Sequence, residues 1–315
     1  MASMTLLTTK TLSATPSQQE AALKDEDKES AASAVEMPTA VNVGVPKFTD
    51  KYEERAYLKR RLALAFRIFA KEGFDEGVAG HITLRDPIQP DCFWVNPFGV
   101  PWPIMTASDL ILVNSDGKVV DGSRHRLLNA AGMKRRQLLP SSQTLCAAYM
   151  IHHSIHTARP DVNCIAHSHS TYGRAFCSLG RNLDIISQDS CAFYNDLAFY
   201  DNFGGVVLDG DEGKLIAQQL GTNKAALLQN HGLLTCGKSV ESTVFWFMSL
   251  EKSCQVQLLA DAAAAGRGGE PKKIGEAEAA YTYKTVGSEI AGWFSAKPVF
   301  ETAETEASLD PRWHP

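Results

Sequence analysis

The first strongly patterned stretch of the chain is residues 52–72, where apolar side chains recur every three or four positions. This spacing places them along one face of an α-helix. The stripe consists of Tyr57, Leu58, Leu62, Leu64, Ala65, Phe66, Ile68 and Phe69. The basic residues between positions 59 and 67 fall mostly on the other side, and Gly73 follows as a stop signal. The pattern therefore predicts a long amphipathic helix that ends near Gly73.

Downstream, the pattern changes to short runs that alternate or are wholly apolar, which is typical of strands. These predicted strands are His81–Arg85, Phe93–Asn96, Leu110–Asn114, Val162–Ala166 and Ala225–Leu228. Residues 147–158 and 239–265 have helical patterns, and Gly266 ends the second. The remainder to Pro315 predicts one helix followed by a tail.

Residues 1–45 are rich in Ser, Thr, Ala and charged side chains and contain little that could be buried. Such composition predicts a disordered N-terminal extension, because ordering it would cost more conformational entropy than burial returns. We expect the main domain to occupy residues 46–268, with a C-terminal helix and tail at residues 269–315.

Composition excludes several classes of function. The chain has 315 residues, of which 44% are hydrophobic, so it can bury a substantial core. Its formal charge of −5 is spread along the chain without a basic stripe, which argues against nucleic-acid binding. No apolar run approaches the roughly 18 residues that cross a bilayer, and no signal peptide is evident, so we expect a cytoplasmic protein without membrane contact. The seven cysteines are scattered and form no CxxC pair, so a thiolate metal site is not predicted.

Three histidines carry the strongest chemical signal. His167 and His169 occupy positions i and i+2 at the end of a predicted strand, so their side chains point to the same face. His231 follows the predicted strand at Ala225–Leu228 and supplies a third imidazole. Three neutral imidazoles can hold a divalent cation and leave a position open for substrate or water. We therefore predict a catalytic metal centre, with zinc as the first choice and iron or manganese as alternatives.

Several motifs resemble the class II aldolase/adducin N-terminal domain family, in the order and spacing of its adducin-head-like members. They are Gly80–Thr83, Val95–Val100, Thr106–Leu110, Ala158–Val162 leading into His167–His169, and Gln229–Leu234. The resemblance covers roughly residues 50–260. It implies a three-layer α/β/α sandwich with a central mixed, largely antiparallel sheet, a metal bound by three histidines, and a homo-oligomer, often a tetramer. It does not fix the reaction, because one fold supports many activities.

The chain departs from the sugar-phosphate aldolases of this family at two places. Their acid–base carboxylate corresponds to Ala148 here. Their phosphate-binding Asn corresponds to His81, and a small hydroxyl residue corresponds to Phe98. We therefore expect a small-molecule substrate without phosphate, such as an aromatic or keto acid lying against Phe98 and Trp102, with His81, Asn96, Phe98 and Gly99 as substrate-binding residues.

The segment 132–147 does not fit the family. Its removal would join Ala131 to Ala148 and restore the family's spacing between Asn129 and His152. It is either a surface loop peculiar to this protein or a translated intron, and the sequence slightly favours the intron. Transcript sequencing that finds the segment in every mature message would exclude the intron.

These observations predict a metal-dependent lyase of the aldolase or decarboxylase type, acting through an enolate stabilised by the cation. Asp189 and Tyr194 are the predicted catalytic acid–base groups, with Asp196 and His81 as further candidates, although each could instead have a capping or hydrogen-bonding role. His152, His153 and His156 are interpreted as packing or interface residues. Two alternatives remain open: an Fe(II)-dependent oxygenase acting on an aromatic keto acid, and a non-catalytic adducin-like scaffold.

Overall fold

A computed structural model describes residues 45–124, 147–205 and 210–313. Eight strands form a single sheet in the order β4-β3-β2-β1-β5-β8-β7-β6. In chain order they are β1 (His81–Arg85), β2 (Phe93–Val95), β3 (Ile111–Val113), β4 (Val119–Gly122), β5 (Cys164–Ser168), β6 (Leu197–Tyr200), β7 (Ala225–Leu228) and β8 (Gly232–Gly237). Neighbouring strands are antiparallel except for β6 and β7, which are parallel. The predicted mixed, largely antiparallel sheet is therefore confirmed.

Helices cover both faces of this sheet. They are α1 (Lys51–Lys71), α2 (Ala147–Ala158), α3 (Thr171–Cys177), α4 (Gly210–Leu220), α5 (Val240–Ala265), α6 (Glu276–Val286) and α7 (Glu289–Ser308). On one face, Ile151 and Ile155 of α2 and Ile216 of α4 pack against the sheet. On the other face, α1, α3, α5 and α7 share the larger core, in which Trp246 and Phe300 are fully buried. This arrangement confirms the predicted three-layer α/β/α sandwich.

The two long helices of the main domain follow directly from their sequences. Asp50 caps α1 by accepting a hydrogen bond from the backbone N–H of Tyr52, and α1 ends at Lys71, two residues before Gly73. Ser239 caps α5 by accepting from the N–H of Ser242, and Gly266 is the C-cap of this helix. Such caps satisfy backbone groups that have no partner inside a helix. The apolar stripe of α1 is buried from Leu62 to Phe69, as its spacing predicts.

The prediction for the C-terminal region is wrong in one respect. It contains two helices, α6 and α7, rather than one helix followed by a tail. Helix α7 continues through Pro298 and buries Trp293, Ala296, Phe300, Ala303 and Ala307. These positions recur every three or four residues, so α7 has a continuous buried face that holds it against α5 in spite of the proline.

Two predictions concern residues outside the described ranges. The expected disordered extension, apart from Val45, and the segment 132–147, apart from Ala147 at the start of α2, lie in the parts that the structure does not describe. Among the described helices, none has the length and apolar character needed to span a bilayer.

Candidate metal centre

Strand β5 presents the first two histidines. His167 lies in register with His81 of β1 on one side and with Leu234 of β8 on the other. Ile165, two positions earlier, packs in the core beneath α2 and α4, so His167 faces the same layer. His169 comes directly after the strand, and Ser170 is then the N-cap of α3. The end of β5 therefore directs both imidazoles to one side of the sheet.

The tight turn between β7 and β8 supplies the third histidine. His231 donates its backbone N–H to the carbonyl of Leu228 at 3.0 Å, and Asn230 has a left-handed backbone with φ of 57°. Asn tolerates this conformation better than most residues. Gly232 follows, and a Cβ there would lie 2.7 Å from the carbonyl oxygen of Ser168. Only glycine lets the hairpin approach β5 closely enough to bring His231 beside His167.

The three imidazoles converge. One nitrogen from each of His167, His169 and His231 lies within 4.8 Å of the others, and the ring centroids are 4.6–5.2 Å apart. Nitrogens that bind one zinc ion at about 2.0–2.1 Å are at most about 4 Å apart, so small side-chain rotations would bring these atoms to shared coordination. No carboxylate belongs to this group in the described part of the chain.

The protonation state of the group suits a cation. The ring Nδ1–H of His167 donates to the carbonyl oxygen of Leu233 at 2.8 Å, which leaves Nε2 with a free lone pair. Burial lowers the pKa of His231 to about 4 and the pKa of His167 well below its ordinary value. Burial is also the main cause of the lowered pKa of His169, and the nearby charge of Arg174 adds to it. All three rings are therefore neutral near pH 7 and can act as ligands.

Glu251 of α5 holds the segment that follows His167 and His169. Its buried carboxylate accepts hydrogen bonds from the hydroxyl of Ser170 at 2.5 Å and from the backbone N–H groups of Tyr172 and Gly173 at 2.8 and 2.7 Å. A carboxylate at a helix N-terminus is favourable because it satisfies free N–H groups and opposes the helix dipole. Glu251 lies on a helix that covers the sheet, and its hydrogen bonds hold the backbone that follows His169 in place.

The predicted substrate-binding residues lie at the same end of the sheet. His81 is 7% exposed, and its ring lies 5.4 Å from that of His167. Asn96 follows β2 and is buried, Phe98 is exposed, and Gly99 has a φ of +79° that favours glycine. Their role in binding stays a prediction.

The position of Trp102 contradicts the expectation that this residue contacts the substrate. It is buried in the larger core, with its ring 5.1 Å from that of Phe66 and 6.2 Å from that of Phe69. Its apolar surface is thus already covered by α1.

The predicted catalytic residues are not brought to the triad within one chain. Tyr194 and Asp196 precede β6, which runs parallel to β7 with Leu197 opposite Ala225. His231 follows the other end of β7, about 10 Å of strand away. Asp196 accepts from the backbone N–H of Lys224 and the hydroxyl of Tyr283, which is a structural role.

Asp189 is also away from the triad. It is exposed in a short 3-10 helix and lines a surface pocket with Phe245, Met248 and Lys252 of α5. The catalytic roles of Asp189 and Tyr194 stay predictions.

A polar cluster behind the triad was not predicted from the sequence. Thr83 and Arg85 of β1 face α2, where they contact His152 and His156. Residues 81, 83 and 85 alternate along a strand, and His152 and His156 are four apart on a helix. Both patterns were visible in the sequence, but only the packing of α2 on β1 shows that they meet.

Comparison with known proteins places this architecture in a family. A family model for the Class II Aldolase and Adducin N-terminal domain matches residues 60–258. The chain is 42% identical over 260 residues to "Decarboxylase NovR" of Streptomyces niveus, covering 82% of this chain and 88% of that protein. It is also 42% identical over 258 residues to "4-hydroxy-3-prenylphenylpyruvate oxygenase/4-hydroxy-3-prenylbenzoate synthase" of Streptomyces roseochromogenus subsp. oscitans, covering 81% and 85%.

A solved structure agrees with the sequence matches. "L-fuculose 1-phosphate aldolase from Glaciozyma antarctica PI12" superposes with a TM-score of 0.74 at 48% identity, covering 85% of this chain and 96% of that chain. Class II aldolases depend on a divalent metal, which agrees with the converging histidines. The chain therefore belongs to the class II aldolase and adducin N-terminal domain family.

Proposed function

We propose that the protein is a divalent-metal-dependent lyase that acts on a non-phosphorylated carbonyl or keto-acid substrate. The observation that carries the proposal is the convergence of three neutral imidazoles, one buried and two partly buried, with no carboxylate among them in the described part of the chain. His167, His169 and His231 would hold the cation, whose retained positive charge supplies Lewis acidity toward a carbonyl oxygen. Zinc is the proposed resident metal.

The residues around the triad favour a substrate without phosphate. A phosphate group needs several hydrogen-bond donors or cations. His81 occupies the place of the family's phosphate-binding Asn, and burial lowers its pKa to about 3, so it carries no charge to attract a dianion. Phe98 adds an exposed aromatic ring at the same end of the sheet. One of the two Streptomyces relatives is named a decarboxylase, and the other is named for a phenylpyruvate, which is an aromatic keto acid. Both names support an aromatic keto acid as the substrate.

A direct assay tests this proposal. Zinc-loaded protein is incubated without oxygen with 4-hydroxy-2-oxo-4-phenylbutanoate, an aromatic keto acid whose aldol cleavage gives the pyruvate enolate and benzaldehyde, and, separately, with L-fuculose 1-phosphate. The release of aldehyde from each compound is measured. We expect turnover of the keto acid only, and none in His231→Ala. Cleavage of the sugar phosphate would contradict the proposed substrate class, and a protein that retains no divalent metal would favour the adducin-like scaffold.

An Fe(II)-dependent oxygenase is the second candidate. It is favoured by the oxygenase named in the Streptomyces roseochromogenus relative, which is 42% identical and covers 81% of this chain. Three-histidine sites accept iron as well as zinc, so the ligands do not decide between them. Iron-loaded protein is placed in an oxygen electrode with 4-hydroxyphenylpyruvate, whose loss of carbon dioxide needs oxygen as the oxidant. Oxygen uptake that depends on this keto acid would replace the lyase proposal, whereas aldol cleavage without oxygen supports the lyase.

We also propose that the protein is a homo-oligomer, with a tetramer as the expected form. Large apolar side chains are exposed near the ends of the strands that carry the triad. They are Val78, Phe98, Tyr172, Leu179 and Phe203. Exposed apolar groups that share one end of a domain often mark a contact between subunits.

A further inference from the structure

Arg174 places a positive charge beside the histidine triad. Helix α3 begins after His169 with Ser170 as its N-cap, and the backbone N–H of Arg174 donates to the carbonyl oxygen of Ser170 at 2.9 Å. Side chains on an α-helix lean toward its N-terminus, so the side chain of Arg174 leans back toward the turn that follows His169. This side chain is 42% exposed. The guanidinium is therefore accessible to a small molecule at the end of α3 that adjoins the triad.

The loop that precedes β1 contacts this guanidinium from the other side. Arg174 forms an ion pair with Glu76 of this loop. Gly80 ends the loop, and a Cβ there would lie 3.0 Å from the carbonyl oxygen of His167, so the loop lies against the end of β5. The ion pair therefore joins two segments that both adjoin the strand end from which the triad is built.

The two charges of this ion pair act on the triad. Burial is the main cause of the lowered pKa of His169, the charge of Arg174 lowers this pKa further, and the charge of Glu76 raises it. The pKa values of His167 and His231 are lowered by burial and by neighbouring histidines. Among the main influences on the triad within the described residues, Arg174 therefore supplies the positive charge and Glu76 the negative charge.

The ion pair leaves most of the guanidinium available for a ligand. An arginine side chain has five N–H donors in a planar fork, and Glu76 contacts one terminal nitrogen of Arg174. The two side chains are 42% and 55% exposed, and ion pairs at such exposed positions contribute little to stability. A carboxylate that arrives with a substrate can therefore take the remaining donors, or replace Glu76, in the bidentate geometry that a guanidinium favours.

A keto acid fits this arrangement of charges. Its carbonyl and its carboxylate are on adjacent carbon atoms, so a cation held by the triad can polarise the carbonyl oxygen while the neighbouring guanidinium binds the carboxylate. A phosphate dianion needs several donors or cations. The neutral ring of His81 does not supply a second positive charge next to Arg174.

We propose that Arg174 binds the carboxylate of the substrate and thereby selects for keto acids over uncharged carbonyl compounds. Glu76 holds the guanidinium beside the triad in the free protein and gives way to the incoming carboxylate. The inference rests on the proposed function, because it assigns the bound anion to that enzyme's substrate.

Binding is measured by calorimetry on zinc-loaded protein, with phenylpyruvate and with its uncharged methyl ester. We expect Arg174→Gln to bind phenylpyruvate at least about tenfold more weakly than the wild-type protein does, because a charge-assisted bidentate contact is lost. The methyl ester should bind equally to both proteins, and their zinc content should be the same. Glu76→Gln removes the competing carboxylate and should tighten the binding of phenylpyruvate, whereas weaker binding in this variant would contradict the exchange of partners.

Arg181→Gln is the matched control. The side chain of Arg181 is also 42% exposed, and it pairs with Asp184 and Asp261 instead of with the loop before β1. This variant loses the same charge and should bind phenylpyruvate as the wild-type protein does. An equal loss of affinity in Arg181→Gln and Arg174→Gln would reduce the effect to net charge and would overturn the inference.

Three further outcomes separate the inference from the proposed function. Equal affinity of wild-type protein and Arg174→Gln for phenylpyruvate would overturn the inference alone. Failure of the wild-type protein to bind either the acid or the ester would contradict the proposed substrate class and the inference with it. Inorganic phosphate that binds the wild-type protein more tightly than phenylpyruvate does, and that Arg174→Gln no longer binds, would assign Arg174 to a phosphate group and would overturn the inference as well.

Discussion

His231 is the proposed ligand whose removal best separates metal binding from folding, because it lies in a partly exposed turn whereas His167 is buried within the sheet. We expect His231→Ala to lose metal affinity by more than about 100-fold, since even residues that only orient ligands are worth 10–100-fold. The variant should remain soluble with an unchanged circular dichroism spectrum. His167→Ala should likewise lose the metal.

The measurement is the metal-to-protein ratio after desalting, by mass spectrometry. His153→Ala, on α2 and outside the triad, is the matched control and should keep full occupancy. Unfolding of both His167→Ala and His231→Ala would show that the metal is structural instead of catalytic.

His156 gives the protein a specific sensitivity to acid. Its pKa falls from 6.5 to about 3 in the folded state, so between these values the unfolded chain binds a proton that the folded chain does not. This group therefore does not reduce the free energy of unfolding above about pH 6.5. Below that pH, each such histidine lowers the free energy of unfolding by about 1.4 kcal/mol per pH unit. We expect His156→Gln to lower the slope of unfolding free energy against pH by this amount between pH 6 and 4, as measured by urea denaturation. An unchanged slope would contradict the buried, neutral state of His156.

At the scale of single residues, the sequence predicted the triad but not the polar cluster behind it. His167 and His169 are two apart on a strand, so their common direction follows from geometry alone, and the family motif adds His231. The contacts of Thr83 with His152 and His156 depend on how α2 packs on β1, which is tertiary information.

Among the elements, the β7–β8 hairpin has the strictest steric requirement. A Cβ on Gly232 would lie 2.7 Å from the carbonyl oxygen of Ser168, which is backbone and cannot move aside easily. We expect Gly232→Ala to displace the hairpin, lower stability by about 1–3 kcal/mol and weaken metal retention, because His231 is the adjacent residue. Thermal melting and metal content measure the two effects.

Gly269→Ala is the control for this substitution, because a Cβ there meets nothing within 4 Å. Its melting temperature and metal content should match the wild-type values. If Gly232→Ala also behaved like the wild-type protein, the close contact between the hairpin and β5 would be wrong.

Long elements were predictable and short ones were not. Helices α1 and α5 repeat their apolar spacing over 21 and 26 residues, and their caps are recognisable in the sequence. Strand β4 has four residues and is mostly exposed, so it has no apolar pattern that distinguishes it from a loop. Helix α3 has seven residues and is held by Glu251, whose position far along the chain gives no local signal.

For the whole molecule, the proposed assembly depends on the exposed apolar side chains near the triad. Phe203 follows β6, next to the β7–β8 hairpin, and is 51% exposed. We expect Phe203→Ser to shift the protein toward smaller species in light scattering coupled to size-exclusion chromatography. Tyr281→Ser, at a 77% exposed aromatic on α6, is the control and should leave the mass unchanged. A wild-type protein that elutes as a monomer would refute the assembly.

The separation of the proposed ligands along the chain has a consequence for biosynthesis. His167 and His231 meet only after β5 and β8 have paired, because the same pairing brings the Leu233 carbonyl to the His167 ring. Contacts between such distant segments form late and slowly. A nascent chain released from the ribosome before β8 has docked would have only the His167–His169 pair, so we expect the cation to be captured after the sheet is complete and not to direct its formation.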